Sequence, residues 1–242
     1  MKSNPTAFLA LWNGLRDLSM LEEYERWHSI EHVPERLSVP GILQARRYGS
    51  LDSAGQFFTG YWLADLAALQ NTDYQALLQQ PTPWSARMRL QLNNFVRHPA
   101  NRLGSAGVTR GQALATLLLT RPPAVPLQEA LRRLVLQLAQ AVTAGVLLRA
   151  EWFLVVDEGL PQHPLGLQGT DKVPQQDRLV VLLEHSTPQA LQAFLALPEA
   201  LPAPWVAQAP PRYFGLLSTA SQADLYPDGP LARPAARIDL MP

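Results

Sequence analysis

The sequence predicts an α+β fold in which two β-α-β-β-α-β units pack sheet to sheet as a single-chain α+β barrel. Two all-apolar runs, residues 6–12 and 113–119, are typical of buried first strands, one in each half of the chain. The same order of helix-like and strand-like patterns follows each run, and a glycine-containing segment at residues 101–111 is the natural linker. A four-stranded sheet with helices on one face leaves its other face bare. Two such sheets in one chain can cover each other.

In the first half, a helix follows the strand at residues 6–12. Ser19 and Glu22 have the spacing of a capping box, which starts that helix. Pro34 should kink or restart the helix, because proline removes a backbone donor and clashes with the preceding turn. A hairpin, a second helix and a closing strand complete the half. These later elements are expected at residues 42–48, 56–63, 66–78 and 90–97.

The second half repeats this order. A stripe of leucines predicts an amphipathic helix over residues 127–142, and Thr187-Pro188 has the cap and first-turn proline of a short helix. A long polar loop that contains His163 separates two of the strands, and that histidine is expected to be exposed. The strands are expected at residues 146–155, 178–184 and 212–218.

Each half therefore has the order of a ferredoxin-like unit. We expect an N-terminal unit at residues 1–100, a degenerate C-terminal unit at residues 112–219, and a proline-rich, irregular tail at residues 220–242.

Composition narrows the class of protein. The 242 residues are 47% hydrophobic and 17% charged, which is typical of a globular chain with a sizeable core. The formal net charge is zero, so no electrostatic field favours nucleic acid or an anionic membrane. The chain has no cysteine, which excludes disulfides and thiolate chemistry. No apolar run approaches the length of a membrane span. We expect a cytoplasmic monomer or homodimer with no nucleic-acid or membrane partner.

The first predicted helix carries the most informative pattern in the chain. Tyr24, Trp27, His28, Glu31 and His32 follow the spacing of a single helix face. Such a face is usually plain core, whereas this one holds two imidazoles and a carboxylate. The pattern predicts that the face lines a cavity for a small-molecule ligand.

Residues 22–48, EEYERWHSIEHVPERLSVPGILQARRY, resemble the EthD-like branch of the dimeric α+β-barrel superfamily. The run QPTPW at residues 80–84, with Arg87 and Arg89, is similar to the same group. The resemblance covers residues 6–97 and is most specific in the segment EH-x-PER-x3-PG, residues 31–41; the second half matches only in its order of elements. It implies a ferredoxin-like fold with a cavity between paired sheets. Members include cofactor-free cyclases, isomerases, monooxygenases and proteins without assigned activity.

The family-matched histidine, His32, is the main catalytic candidate. An imidazole beside Glu31 and Glu35 can act as a general base near neutral pH. The alternative is a helix-end histidine that bonds a loop carbonyl. Strand alternation puts Arg46 and Tyr48 on one face, where either could stabilise an oxyanion beside His32. The further candidates for ligand binding are His28, Trp27, Arg47, Tyr61 and Trp62.

Metal and haem chemistry stay open as alternatives. His28 and His32 have the i, i+4 spacing that lets two imidazoles bind one metal, but the segment lacks the glutamate placement of a zinc-protease helix. His185 is the one conceivable axial haem ligand in the second half. We expect no metal and no cofactor.

Three functions remain after these exclusions. The leading one is a cofactor-free cyclase, isomerase or lyase that uses a histidine base on an aromatic or polyketide-like substrate. The second is a non-catalytic ligand-binding or accessory protein with the same cavity. The third is a haem-dependent or metal-dependent oxidoreductase. The second-half helix carries only a leucine stripe, so we expect one pocket per chain, in the first half.

Overall fold

A computed structural model describes residues 4–156, 160, 177–227 and 231–242, so His163 and most of the polar loop lie outside the described residues. Nine strands are present in the described part of the chain. In chain order they are β1 (Ala7–Leu15), β2 (Ile42–Ser50), β3 (Gln56–Leu63), β4 (Leu92–Ala106), β5 (Ala113–Thr120), β6 (Arg149–Val155), β7 (Arg178–His185), β8 (Val206–Ala207) and β9 (Arg212–Ser221).

The strands form one antiparallel sheet in the order β7-β6-β4-β1-β3-β2-β9-β5-β8. A further pairing of β7 with β5 closes eight of them into a barrel, and β8 is a short addition to β5. The two halves therefore join at their edges, through β4–β6 and β2–β9, into one closed sheet. Closure leaves no long unpaired edge. The prediction that one chain forms an α+β barrel is confirmed.

The helices pack on the outside of the barrel. Short 3₁₀ turns lie at Leu18–Met20, Leu66–Leu69 and Ile238–Leu240, and a π-helical turn lies at His28–His32. The α-helices are α1 (Leu21–Trp27), α2 (Val33–Leu37), α3 (Thr72–Gln79), α4 (Pro83–Arg89), α5 (Leu127–Thr143), α6 (Pro188–Leu195) and α7 (Gln222–Leu225). Within the described residues, no helix has the length and apolar character needed to cross a membrane.

The prediction that residues 101–111 form a linker is wrong for residues 101–106. β4 runs on to Ala106, because it pairs with β1 as far as Asn101 and then with β6 from Ala100 onward. The segment that was expected to separate the halves therefore forms one of the seams that join them. Only the turn that follows, where Gly107 has a φ of 83°, behaves as a connection.

Strand alternation divides the core into an inner and an outer part. Phe8, Trp12, Phe58 and Phe153 belong to a buried cluster made of strand residues alone, which fills the barrel interior. The alternate residues of the same strands, such as Leu9, pack against α2 and α3. The leucine stripe of α5 is buried against the second half of the barrel, as predicted.

Candidate functional site

A small cavity lies between the helices of the first half and the outer face of β1 and β3. Its volume is about 50 Å³, which is room for a few water molecules. The sequence predicted a cavity between two sheets. The cavity instead lies outside the barrel, because the barrel interior is filled with side chains. Its polar lining comes from Asn13, Tyr24, His28, His32, Arg36, Thr59, Tyr61, Tyr74 and Arg89.

The π-helical turn His28–His32 brings both histidines to this cavity. The N–H of Val33 donates to the carbonyl of His28, so the helix is one residue wider here than an α-helix. Its position just before Pro34 matches the predicted kink, since a proline cannot supply the next backbone donor. The imidazole rings of His28 and His32 have centroids 4.9 Å apart, and the ring of Trp27 lies 4.5 Å from that of His32.

Three side chains that line the cavity have buried polar atoms with neither a hydrogen-bond partner nor an ion-pair partner among the described residues. They are Nδ1 of His28, Oγ1 of Thr59 and Oη of Tyr61. These residues are 4%, 2% and 2% exposed, so bulk water does not reach them. An unsatisfied buried polar group costs roughly 1–3 kcal/mol. Three such groups around one cavity indicate a place where a ligand or bound water completes the hydrogen bonding.

Burial and nearby charges keep His28 uncharged, and arginines lie close to the same cavity. Burial, reinforced by the nearby charge of Arg47, holds the pKa of His28 well below its ordinary value of 6.5. Its imidazole is therefore uncharged at neutral pH, so one of its ring nitrogens is available as a hydrogen-bond acceptor. Elsewhere in the lining, burial and the repulsion of Arg36 lower the pKa of Arg89 to about 10. The Arg89 guanidinium still carries its charge at pH 7.

The structure separates the predicted catalytic residues. Arg46 and Tyr48 share a face of β2 and point into the barrel, because Tyr48 packs with the interior cluster and Arg46 approaches Glu184 across the barrel. His32 lies on the outer side of the sheet. Since a sheet separates them, neither Arg46 nor Tyr48 meets His32.

The predicted ligand-binding residues divide in the same way. Trp27, His28 and Tyr61 line the cavity together with His32. Trp62 points into the barrel. Arg47 lies on the helix side, where its side chain donates to Ser29 Oγ at 2.8 Å and pairs with Glu25 at 2.9 Å.

Five polar residues of the cavity were not identified from the sequence. They are Asn13, Arg36, Thr59, Tyr74 and Arg89. Arg36 belongs to the EH-x-PER segment, so the motif itself carried that signal. Thr59 is the one aliphatic hydroxyl in the strand segment FFTGYWL, which is a second usable sign. Arg89 lies in α4, and Thr82-Pro83 at the start of that helix has the same cap-and-proline pattern that predicted α6. The position of Arg89 on a helix was therefore predictable from the sequence.

The carboxylates beside His32 bind other parts of the chain. Glu31 accepts hydrogen bonds from the Thr82 hydroxyl at 2.5 Å and from the backbone N–H of Arg237 at 2.7 Å. Glu35 pairs with Arg233 at 2.6 Å. The C-terminal residues thus pack over the helix that carries the histidines, and the glutamates of the motif hold them there.

The residues present do not fit a haem or a metal at this site. Among the described residues, no group of three His, Asp or Glu side chains is arranged to hold a metal ion. A cavity of about 50 Å³ is far below the roughly 300 Å³ of an ordinary ligand pocket. His185 lies at the end of β7 and accepts a hydrogen bond from the Thr187 N–H at 3.3 Å. It does not face the cavity.

A second cleft of about 310 Å³ lies between the β2–β3 loop and β9, next to Asp52 and Arg212. It is larger than the histidine cavity but more open. None of the described residues that line it has a buried polar atom without a partner. The histidine cavity is therefore the better candidate.

The fold and the cavity together define an α+β barrel protein, and solved structures share this fold. A protein described as a candidate monooxygenase from Lactobacillus acidophilus is 7% identical, with a TM-score of 0.56 over 90% of this chain and 97% of that one. An anthrone oxidase-like protein is 11% identical, with a TM-score of 0.56 over 92% and 96%. A candidate chlorite dismutase is 10% identical, with a TM-score of 0.50 over 91% and 97%. No protein-family model and no curated protein matches the sequence.

Proposed function

We propose that this protein binds a small enolisable aromatic molecule in the histidine cavity and removes a proton from it. His32 accepts the proton, and the uncharged imidazole of His28 holds the ligand by a hydrogen bond. Tyr61 and Arg36 stabilise the enolate oxygen that forms, by a hydrogen bond and by charge. The observation that carries the proposal is the group of three buried, unpartnered polar atoms around one cavity.

The surroundings of the cavity suit this chemistry. The aromatic rings of Tyr24, Trp27 and Tyr74 give a flat, apolar wall for a ring-shaped ligand. A ring-sized ligand needs more than 50 Å³, so the cavity has to widen on binding. Arg89, Leu92 and Phe95 are among the half-buried residues of the lining, and their displacement would open it.

We further infer that the chain is a tandem of two ferredoxin-like units, at residues 1–100 and 112–219, with a tail at 220–242, and that its first half belongs to the EthD-like branch of the dimeric α+β barrels. The strand order β4-β1-β3-β2 in the first half and β9-β5-β7-β6 in the second supports two equivalent units. One chain then supplies both halves of a barrel, with a single pocket in the first half.

The test uses anthrone, the compound in the name of one similar protein, as the enolisable probe. Exchange of its methylene protons for deuterium in D₂O, followed by NMR, reports the proton removal directly. We expect wild-type protein to accelerate the exchange. His32→Gln should lower that acceleration by about 10²-fold, the usual contribution of a general base. His28→Gln should lower it through weaker binding of the ligand. Tyr61→Phe should lower it as well, since it removes the oxyanion donor.

His185→Gln is the matched control, because that histidine lies away from the cavity, and it should exchange anthrone as the wild type does. Thermal melting in the presence of anthrone and of phenol, a single-ring probe, separates binding from reaction. Stabilisation without exchange would show a binding protein that performs no proton transfer. If neither probe binds and no exchange occurs, the proposal is wrong.

An oxidation is the second candidate, favoured by the names of two proteins that share the fold. Removal of the proton would be its first step, and dioxygen would then be the oxidant. Oxygen consumption during incubation with anthrone distinguishes oxidation from simple enolisation.

A further inference from the structure

A cluster of charged side chains fills one end of the barrel interior, on the opposite side of the sheet from the histidine cavity. The members come from five different strands or strand ends, and all lie at the end of the barrel where β3 finishes and β6 begins. The cluster consists of Arg46, Arg102, Arg110, Arg149, Glu151 and Glu184.

The positive charges of this cluster outnumber the negative ones. Four guanidinium groups share two carboxylates, which leaves an excess of two positive charges. Arg110 takes the shortest ion pairs, at 2.7 Å to both Glu151 and Glu184. Arg46 reaches Glu184 only at 4.0 Å, although its side chain is just 10% exposed.

A buried arginine cannot relieve such an imbalance by titration. Carboxylates, histidines and lysines shift their pKa and become neutral when burial is unfavourable, whereas the guanidinium group stays charged. Glu151 is already ionised, because hydrogen bonds and charge from Arg149 and Arg110 outweigh burial and lower its pKa. The two excess charges therefore call for an added anion.

Three buried donors at this end have no acceptor among the described residues. They are Nε of Arg46, Nε of Arg149 and Nε1 of Trp62. Arg46 and Trp62, which are 9% and 2% exposed, are neighbours. The guanidinium carbon of Arg46 lies 5.0 Å from the Trp62 ring, and that of Arg110 lies 5.3 Å from it. These atoms are hydrogen-bond donors only, so the missing partner has to be an acceptor.

We propose that this end of the barrel binds a small oxoanion, such as a carboxylate or inorganic phosphate, between Arg46, Arg110 and Trp62. The anion accepts from Nε of Arg46 and Nε1 of Trp62 and offsets the excess charge. Arg102 and Arg110 have side chains 23% and 28% exposed, so the site is open to solvent at its rim and a small anion can enter.

Isothermal titration calorimetry of the full chain with inorganic phosphate, and separately with acetate, tests the proposal at constant ionic strength. We expect saturable binding of one equivalent and a rise in melting temperature at the same concentrations. If phosphate binds more tightly than acetate, the natural ligand carries a phosphate group; if acetate binds more tightly, it carries a carboxylate. Arg46→Met should weaken binding by about tenfold or more, the loss expected for one charge-assisted hydrogen bond.

Two arginine variants serve as matched controls. Arg133→Met removes an exposed charge on α5 and should bind as the wild type does. Arg89→Met removes a charge from the histidine cavity and should also leave the titration unchanged. If Arg46→Met does not fold, Trp62→Phe and the partly exposed Arg102→Met replace it and should weaken binding. Absence of saturable binding to wild type, or its loss in Arg89→Met instead, would overturn the proposal, and neither result depends on the function proposed for the cavity.

Discussion

His28 is uncharged in the folded protein because burial removes its ring from water and Arg47 adds a repulsive positive charge. The same imidazole in an unfolded chain is hydrated and titrates near its ordinary value of 6.5. Folding therefore competes with protonation at this residue. The effect of His28 on stability can therefore be isolated by comparing the wild type with a variant that lacks this imidazole.

We predict that the free energy of unfolding falls as the pH drops below about 6.5. Below that pH the unfolded chain binds a proton at His28 that the folded protein does not, so protonation favours unfolding, with a slope of up to about 1.4 kcal/mol per pH unit. The stabilising contribution is complete above pH 6.5. Urea denaturation at pH 7.5, 6.5 and 5.5, compared between wild type and His28→Gln, isolates this slope. Equal slopes for the two proteins would contradict a neutral, buried His28.

At the scale of elements, one carboxylate joins three separate parts of the chain. Glu31 is 3% exposed and accepts from Thr82, the N-cap of α4, from Ser85 in the same helix and from the backbone of Arg237 in the tail. The histidine-bearing helix, α4 and the C-terminal residues are therefore held together at one point. This arrangement explains the glutamate of the EH-x-PER segment without giving it a chemical role.

Glu31→Gln should destabilise the protein by about 1–3 kcal/mol. An amide offers one acceptor oxygen, so its NH₂ group must face a donor, either the Thr82 hydroxyl or the Arg237 N–H. Chemical denaturation measures the change, and Glu22→Gln, an exposed position on the same helix, is the matched control. An unchanged stability would mean that the tail contact is weak in solution.

At the scale of the whole molecule, neither half can bury its inner sheet face alone. The interior cluster combines Phe8, Trp12 and Phe58 from the first half with Phe153 and Phe214 from the second. The seams β4–β6 and β2–β9 also supply the hydrogen bonds of four strand edges. Each half thus completes both the core and the sheet of the other.

A fragment of residues 1–107, which ends after β4, should dimerise or aggregate at micromolar concentration. Its open inner face and two free strand edges expose apolar surface and unpaired backbone groups. Light scattering after size-exclusion chromatography measures the mass. Mixing with a fragment of residues 108–242 should restore a one-to-one complex. A well-behaved monomer of residues 1–107 would show that the halves fold independently.

The sequence by itself determined the order of the eight barrel strands and of the longer helices, because hydrophobic period, caps and prolines act over a few neighbouring residues. It did not predict α4, β8 or α7. It predicted the two buried first strands, the leucine stripe of α5, the interruption before Pro34 and the helix face that carries His28 and His32. These features depend on local geometry. They were readable without any knowledge of what lies across the barrel.

Only the tertiary structure decided which side of the sheet each strand residue faces and what meets it there. Alternation separates Arg46 and Tyr48 from Arg47 and Tyr61, but the sequence cannot say which pair faces the helices. The closing seams, and with them the strand role of residues 101–106, depend on partners that are distant in the chain. Side chains from both halves fill the barrel interior, so the cavity lies outside the barrel. The two arginines that the sequence assigned to the cavity, Arg46 and Arg47, are not in its lining.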